Sequence, residues 1–360
     1  MLKKLDQYIF TRLLAITVFV LAVLIFIFIV IHFSDHSEEF TDNGATLKQV
    51  FTIYYPNYIP EIIRLVTPVA VFIACLYLTG QMADRLEITA LKAAGVSLYR
   101  LLVPYLLFAF FVIIIISYLD GFIVPKTNAR RLEFAQKYLN RSVNSENQKK
   151  IYRQESSNTL LKINYYNAAK KKGHKIEFYK FKGDSVKQTT TVRQMTWRKK
   201  SNDWHLANIE RRIYTKNGFK TIKIDSVDTT LNVLPRDLAR KTSDISQLTY
   251  PEAANYIQSI RRSGAGSIDP PKVQFYGRLV YPISILVVCI IGFAIASEKR
   301  RGGKGFYIFI GLATSFIFLA LMKIIQPFGS EGLLTPLLAV LLPHLLFLLI
   351  GIALLMRAPK

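Results

Sequence analysis

The sequence predicts an α-helical membrane protein with six transmembrane helices and an all-β domain inserted between the third and the fourth. Three observations carry that expectation. Hydrophobic residues make up 51% of the 360, mean hydropathy is +0.26, and the apolar residues are gathered rather than scattered. Six windows hold no Asp, Glu, Lys or Arg: Leu13–Ile31, Leu65–Ala83, Leu101–Leu119, Leu279–Ser297, Gly305–Met322 and Gly332–Met356. Each has about 18 to 25 residues, and a helix needs roughly 20 to cross a hydrocarbon core of ~30 Å. Between the third and fourth windows lie about 150 residues, Pro125–Phe275, of ordinary soluble composition. The chain therefore divides into 1–124 with three spans, 125–275 with the inserted domain, and 276–360 with three more spans.

The third observation is the side on which charge falls. Twelve basic residues lie in the connections on the side of the N-terminus: Lys3, Lys4, Arg12, Arg85, Lys92, Arg100, Lys299, Arg300, Arg301, Lys304, Arg357 and Lys360. The two short loops on the other side hold Lys48 alone, beside Asp35, Glu38, Glu39, Asp42 and Glu331. The positive-inside rule then places both termini in the cytoplasm. The inserted domain lies outside, because long domains cross largely regardless of their charge.

The first window exceeds a signal-peptide h-region and no A-x-A-like site follows it, so it reads as a retained anchor. HFSDHSEEF after it reads as a membrane exit. The second and third windows flank a short charged connection, D-R-L-E-I-T-A-L-K-A-A-G-V-S, Asp84–Ser97. Asp84 near its start and Lys92 near its end suit a helix dipole, and Gly95 can take the left-handed conformation that stops a helix. Leu86, Ala90, Ala93 and Ala94 fall near one face, a slim apolar ridge that fits a groove. Glu87 lies within a turn of that ridge.

Pro125 is expected to close the third span, with a separate helix over Thr127–Arg141. Period-two alternation then predicts strands at Lys150–Gln154, Thr159–Tyr166, Lys175–Lys182, Thr190–Arg198, Trp204–Thr215, Phe219–Ile224 and Thr229–Val233, an antiparallel sandwich or open barrel. Asn217-Gly218 favours a type I′ turn and Gly183-Asp184 marks another. Ile176, Phe178, Leu206 and Ile209 are expected to face inward. Thr249–Arg262 reads as a helix and Ser263–Pro271 as a linker. The inserted domain carries 31 Lys and Arg against 13 Asp and Glu, a net of +18. That suits either a solvated basic surface or an anionic partner such as lipid headgroups. No base-stacking or base-reading motif points to nucleic acid.

Enzyme chemistry has little support. There is no phosphate loop, since Gly302-Gly303-Lys304-Gly305 is too short to cradle phosphates, and no G-x-S-x-G elbow. Both cysteines, Cys75 and Cys289, fall in predicted spans, and the inserted domain must fold without a disulfide. His32 and His36 stand at i and i+4, but Asp35 would not share their face, so no metal site is expected. No catalytic residue is named.

Ionisable residues within spans are candidates for function. Arg64 lies inside the second apolar block, Lys323 ends the fifth span, and Asp120 and Arg278 stand at the outer ends of spans three and four. Lys323 and Arg278 can snorkel to the interface. Arg64 can pair with Glu61 or Asp120, or it can join Lys323 and His32 on an anionic headgroup, Arg offering paired donors and Lys a point charge.

Three stretches and the three-plus-three plan carry a family likeness over essentially the whole chain: LDQYIFTRLL at the start, DRLEITALKAAGVSLYRLLVP and VYPISILVVCIIGFAIASEKRRG. Together they resemble the lipopolysaccharide-export permeases, the LptF/LptG pair. The opening Leu-Asp-x-Tyr-Ile and the F-S-D-H segment lean toward the LptG half. The resemblance implies a heterodimer with a second homologous permease on a cytoplasmic ATPase dimer, in the inner membrane of a Gram-negative bacterium. It implies a β-jellyroll in the periplasm that passes lipopolysaccharide to a periplasmic bridge of similar jellyrolls, edge strand to edge strand. The chain itself would bind no cofactor, with ATP and Mg used by the partner. The segment 84–95 would be the coupling helix, with Asp84, Arg85, Leu86, Glu87, Ala90, Ala94 and Gly95 at the ATPase. The first and fifth spans would admit the lipid laterally. The family's basic residues at the outer end of the first span are unmatched here, where His32 and Asp35 stand. That shifts the expected headgroup contacts to Arg64, Lys323 and the Arg130–Arg131 pair. A non-transporting scaffold driven by an ATPase is the alternative, disfavoured by the three-plus-three plan.

Overall fold

The computed structural model describes residues 4–138, 148–167, 170–183, 185–198, 201–215, 218–231, 233, 235, 238, 242–262, 268–297 and 303–357. They form two compact units. The first comprises Met1–Leu139, Ser246–Tyr250 and Asp269–Lys360, the second Asn140–Ile245 and Pro251–Ile268.

The helical unit is built from α1 (Lys4–Asp42), α2 (Leu47–Gln49), α3 (Tyr55–Asp84), α4 (Glu87–Ala93), α5 (Leu98–Tyr118) and α6 (Val124–Tyr138). After α7 (Tyr250–Arg262) follow α8 (Asp269–Val280), α9 (Ile283–Ala296), α10 (Gly303–Ser330) and α11 (Pro336–Arg357). Among the described residues five helical runs are long and apolar enough to cross a membrane: Lys4–Asp42, Leu47–Asp84, Leu98–Ala135, Phe309–Ser330 and Pro336–Arg357. The bent pair α8 and α9, at 49°, makes a sixth if counted as one span.

Three boundaries differ from the sequence expectation. α1 runs unbroken through HFSDHSEEF, so at 39 residues it is about 58 Å long. The fourth span is not one helix, because Pro282 has no N–H and the chain turns at Tyr281-Pro282 before α9 begins. Pro125 does not end the third span. A π-turn at Leu119–Ile123 precedes it, and Val124 donates to the carbonyl of Leu119 five residues back, so helical backbone continues into α6. A second π-turn, Val50–Tyr54, joins α2 to α3.

The helical core joins α1, α3, α4, α5 and α9 through Ile9, Leu13, Val71, Ile88, Leu98, Phe108 and Phe293. Cys75 and Cys289 are buried there, their Sγ atoms 3.3 Å apart.

The second unit holds one six-stranded antiparallel sheet with its strands in chain order: β1 (Gln148–Ser156), β2 (Thr159–Asn167), β3 (Lys172–Lys182), β4 (Ser185–Arg198), β5 (Asp203–Thr215) and β6 (Gly218–Thr229). This replaces the expected seven strands of a sandwich or open barrel. The seventh candidate, Thr229–Val233, leaves the ladder after Thr229, and the Val233 carbonyl accepts from the Trp204 indole at 2.7 Å. One β-branched row crosses all six strands in register, Ile151, Ile163, Ile176, Val192, Ile209 and Ile224. Such cross-strand neighbours are the unit of sheet stabilisation. Ile176, Leu206 and Ile209 are buried in that core, and Phe178 packs on it half-buried. The two turn signals rest on Asn217 and Asp184, and the basic run Lys299–Arg301 on its own residues; these lie outside the described residues.

Candidate functional site

The connection between the second and third spans folds as a short helix with engineered ends. α3 continues through Asp84, which therefore closes that helix and does not begin the next; the short helix is Glu87–Ala93, narrower than the expected 84–95. Leu86 sits between them with φ 60° and ψ 14°. A leucine held in the left-handed region costs roughly 1–2 kcal/mol. Leu86 is also 54% exposed, so packing among the described residues offsets that strain only in part. At the other end the Gly95 amide donates to the Lys92 carbonyl at 2.9 Å and the Val96 amide to Leu91 at 3.0 Å. With φ +82° at Gly95 this is a Schellman cap. Ile88 is buried and Leu91 half-buried, which fixes one face of α4 on the core. Leu86, Ala90, Ala93 and Ala94 are exposed on the rest. Glu87, the acid of the first turn, lies 3.9 Å from Arg85.

Two residues beyond this cap, α5 opens on Ser97, whose Oγ accepts from the Arg100 amide at 3.2 Å. The Arg100 guanidinium reaches α1, donating from Nη1 and Nη2 to the two carboxylate oxygens of Asp6 at 2.8 and 2.7 Å. Asp6 is 3% exposed. In the sequence Arg100 bears only on orientation and Asp6 does not stand out, because the polar start of α1 also holds Lys4, Gln7, Thr11 and Arg12.

At the far ends of α3 and α5 a second ionic group is assembled. Asp120 lies in the π-turn, where its carbonyl would look to residue 125 for an amide. Residue 125 is proline and has none. Arg278 of α8 supplies the donor through Nη2, and its Nε faces the Asp120 carboxylate at 3.4 Å while Nη1 donates to the Leu248 carbonyl at 2.7 Å. Arg64 stands 3.6 Å from the same carboxylate. The Tyr250 hydroxyl donates to it at 3.4 Å. Gly121 allows the tyrosine in, because a Cβ there would come within 2.6 Å of its ring. Two guanidiniums thus share one carboxylate, leaving a positive cluster.

Among the expected headgroup residues, Arg64 is therefore carried into this cluster, its guanidinium also 5.6 Å from the Tyr281 ring. His32 and Arg131 meet at one ring: Tyr58 lies 5.0 Å from the imidazole and 4.2 Å beneath the guanidinium. Arg131 pairs with Glu61 at 3.0 Å, and His32 reaches the Tyr55 hydroxyl at 3.3 Å while stacking on His36. Arg130 and Lys323 are exposed and join neither group. No group of three or more His, Cys, Asp or Glu able to hold a metal occurs among the described residues.

A search of curated proteins returns no match to this chain. A family model described as lipopolysaccharide export system permease LptF/LptG matches residues 7–357, from just after Asp6 to the end of α11, and is shared by both halves of that pair. The chain belongs to the LptF/LptG permease family of the lipopolysaccharide export system, as a multi-pass inner-membrane protein and not an enzyme.

Proposed function

We propose that this chain is one half of a permease pair, driven through α4 by a cytoplasmic ATPase dimer that uses ATP and Mg. The observation that carries the reading is Leu86: exposed, strained, and set at the head of an exposed apolar face whose other side is anchored by Ile88. Backbone strain of this kind persists where a function needs it, and a partner's groove would give the leucine its packing. Both termini then lie in the cytoplasm and the β-domain in the periplasm, where it serves as the jellyroll-type module. Its apolar face and edge strands continue into a bridge of similar domains toward the outer membrane.

Lipopolysaccharide enters from the outer leaflet between the first and fifth spans of the two permeases. The low burial of those spans within this chain supports that reading, 6% of the apolar window of α1 and 22% of that of α10, against 67% for α3. His32 and Arg131 around Tyr58, the exposed Arg130 and Lys323, and the positive cluster that includes Arg64 supply contacts for anionic headgroups. In the reconstituted complex Glu87→Lys is expected to abolish lipopolysaccharide-stimulated ATP hydrolysis and export while the complex still forms. Full export by that variant would remove α4 as the coupling element.

A further inference from the structure

α1 is a long helix whose contacts with α3 and α5 leave most of its surface open. Its buried residues are Asp6, Ile9, Leu13 and Thr17 at one end and Phe40 at the other, with none between. The first of these, Asp6, is a carboxylate gripped by Arg100 in a paired, planar contact across 94 residues of sequence. Arg100 stands in the first turn of α5, whose cap Ser97 follows directly on the Schellman cap of α4. Beside the pair a cleft of about 260 Å³ opens between α1 and α5, lined by Asp6, Gln7, Phe10, Thr11, Pro104 and Leu107. The two helices are thus joined by a directional ionic contact at a point where side chains do not fill the space between them.

From this geometry we infer that the Asp6–Arg100 pair is the joint through which a displacement of α4 is passed to α1, and that both are positioning residues for lipid entry. The inference rests on α4 being the ATPase docking element. A bidentate Arg–carboxylate contact holds its partners in one relative orientation, so a displacement of Arg100 carries Asp6 and the start of α1 with it, and the adjoining cleft leaves α1 room to follow. Movement of the first turn of α5 then reaches the span at the lateral opening through a directional contact at the edge of the central core. The apolar contacts of Ile9 and Leu13 hold α1 close, but being non-directional they do not set its angle.

The test uses the full permease–ATPase complex in liposomes, reading lipopolysaccharide released per ATP hydrolysed. It adds a spin-label distance from Val18→Cys on α1 to Phe316→Cys on α10, both native residues being exposed. Asp6→Asn is expected to leave ATP hydrolysis in place, to lower release per ATP severely, and to abolish the nucleotide-dependent change in that distance. Exchanging the charges, Asp6→Arg with Arg100→Asp, is expected to restore both in part, which a merely structural loss would not allow. Should Asp6→Asn fail to assemble, Arg100→Lys keeps the charge, loses the paired geometry, and is expected to show the same loss. Normal release and a normal distance change in Asp6→Asn or Arg100→Lys overturn the joint, as does a charge exchange that restores nothing. Glu87→Lys, run alongside, separates the two ideas. If Glu87→Lys uncouples while Asp6→Asn does not, only the joint fails; if Glu87→Lys also changes nothing, the docking role of α4 fails and the joint with it.

Discussion

The two ionic groups of the helical unit stand about 30 Å apart along α5, at positions 100 and 120, and they are built on different plans. At Asp120 one carboxylate is shared by Arg64 and Arg278, capped by Tyr250, and tied to backbone carbonyls of the π-turn and of Leu248. Four segments of chain meet there, and both Asp120 and Arg278 are buried. At Asp6 the carboxylate takes the paired donors of a guanidinium that is itself 35% exposed, with a cleft alongside. The first arrangement fixes helices with respect to one another. The second joins the starts of α1 and α5 through a directional contact open to solvent on one side. Charge is common to both; how far the guanidinium is shut off from water, 9% exposed at Arg278 against 35% at Arg100, is what separates a knot from a joint.

The contrast is broken most directly at Arg278. Removing one partner of a buried ion pair costs about 3–5 kcal/mol, so Arg278→Ala is expected to lower the midpoint of detergent-induced unfolding sharply and to reduce the folded yield. Gly121→Ala acts on the same knot through sterics alone. Its methyl group would collide with the Tyr250 ring, which its hydroxyl bonds hold in place, and overpacking of this kind costs roughly 1–3 kcal/mol. Asp6→Asn is expected to cost less, about 1 kcal/mol, because Arg100 is left partly hydrated; an unfolding midpoint shifted as far as that of Arg278→Ala would erase the distinction.

The β-domain supplies a reference outside the membrane. Burial pushes the Glu177 carboxyl up, but hydrogen bonds from Tyr179 and Lys162 and the Lys162 charge outweigh it, so its pKa lies below the usual carboxylate value. Asp228, beside His205 and Arg198, is lowered as well. Groups with a depressed folded pKa stabilise fully above the unfolded value and lose that contribution as pH falls through the folded one. The sheet is therefore expected to weaken below about pH 4. Trp197 and Trp204 are the chain's two tryptophans, so tryptophan fluorescence excited at the red edge, where the 19 tyrosines do not absorb, reads this domain alone. An unfolding midpoint flat down to pH 3 would contradict the assignment.

Much of this architecture was legible because hydrocarbon demands long charge-free runs and sheets demand alternation. The six apolar windows and all six strands follow from those two periods. Pro125 misled because a proline normally ends a helix; the π-turn before it absorbs the missing bond, and nothing local in the sequence signals that. Thr229–Val233 alternates like a strand, yet the Val233 carbonyl is taken by Trp204. Arg64 was marked as anomalous, and its pairing with Asp120 was one of two readings open to it. The partners Arg278 and Tyr250 lie 158 and 130 residues from Asp120, and Asp6 lies 94 from Arg100. No pattern within one segment places such pairs together. They depend on packing, which is decided only when the helices assemble.

The chain-order ladder of the sheet has a kinetic consequence. Every strand bonds to the one made just before it, so no early strand waits for a late one to close the sheet. Pairings of short sequence separation form quickly, and each growing edge is paired as soon as the next dozen residues arrive, leaving only the outer edges of β1 and β6 open. A domain with no disulfide to trap a wrong register can thus be zipped hairpin by hairpin while the rest of the chain is still being made.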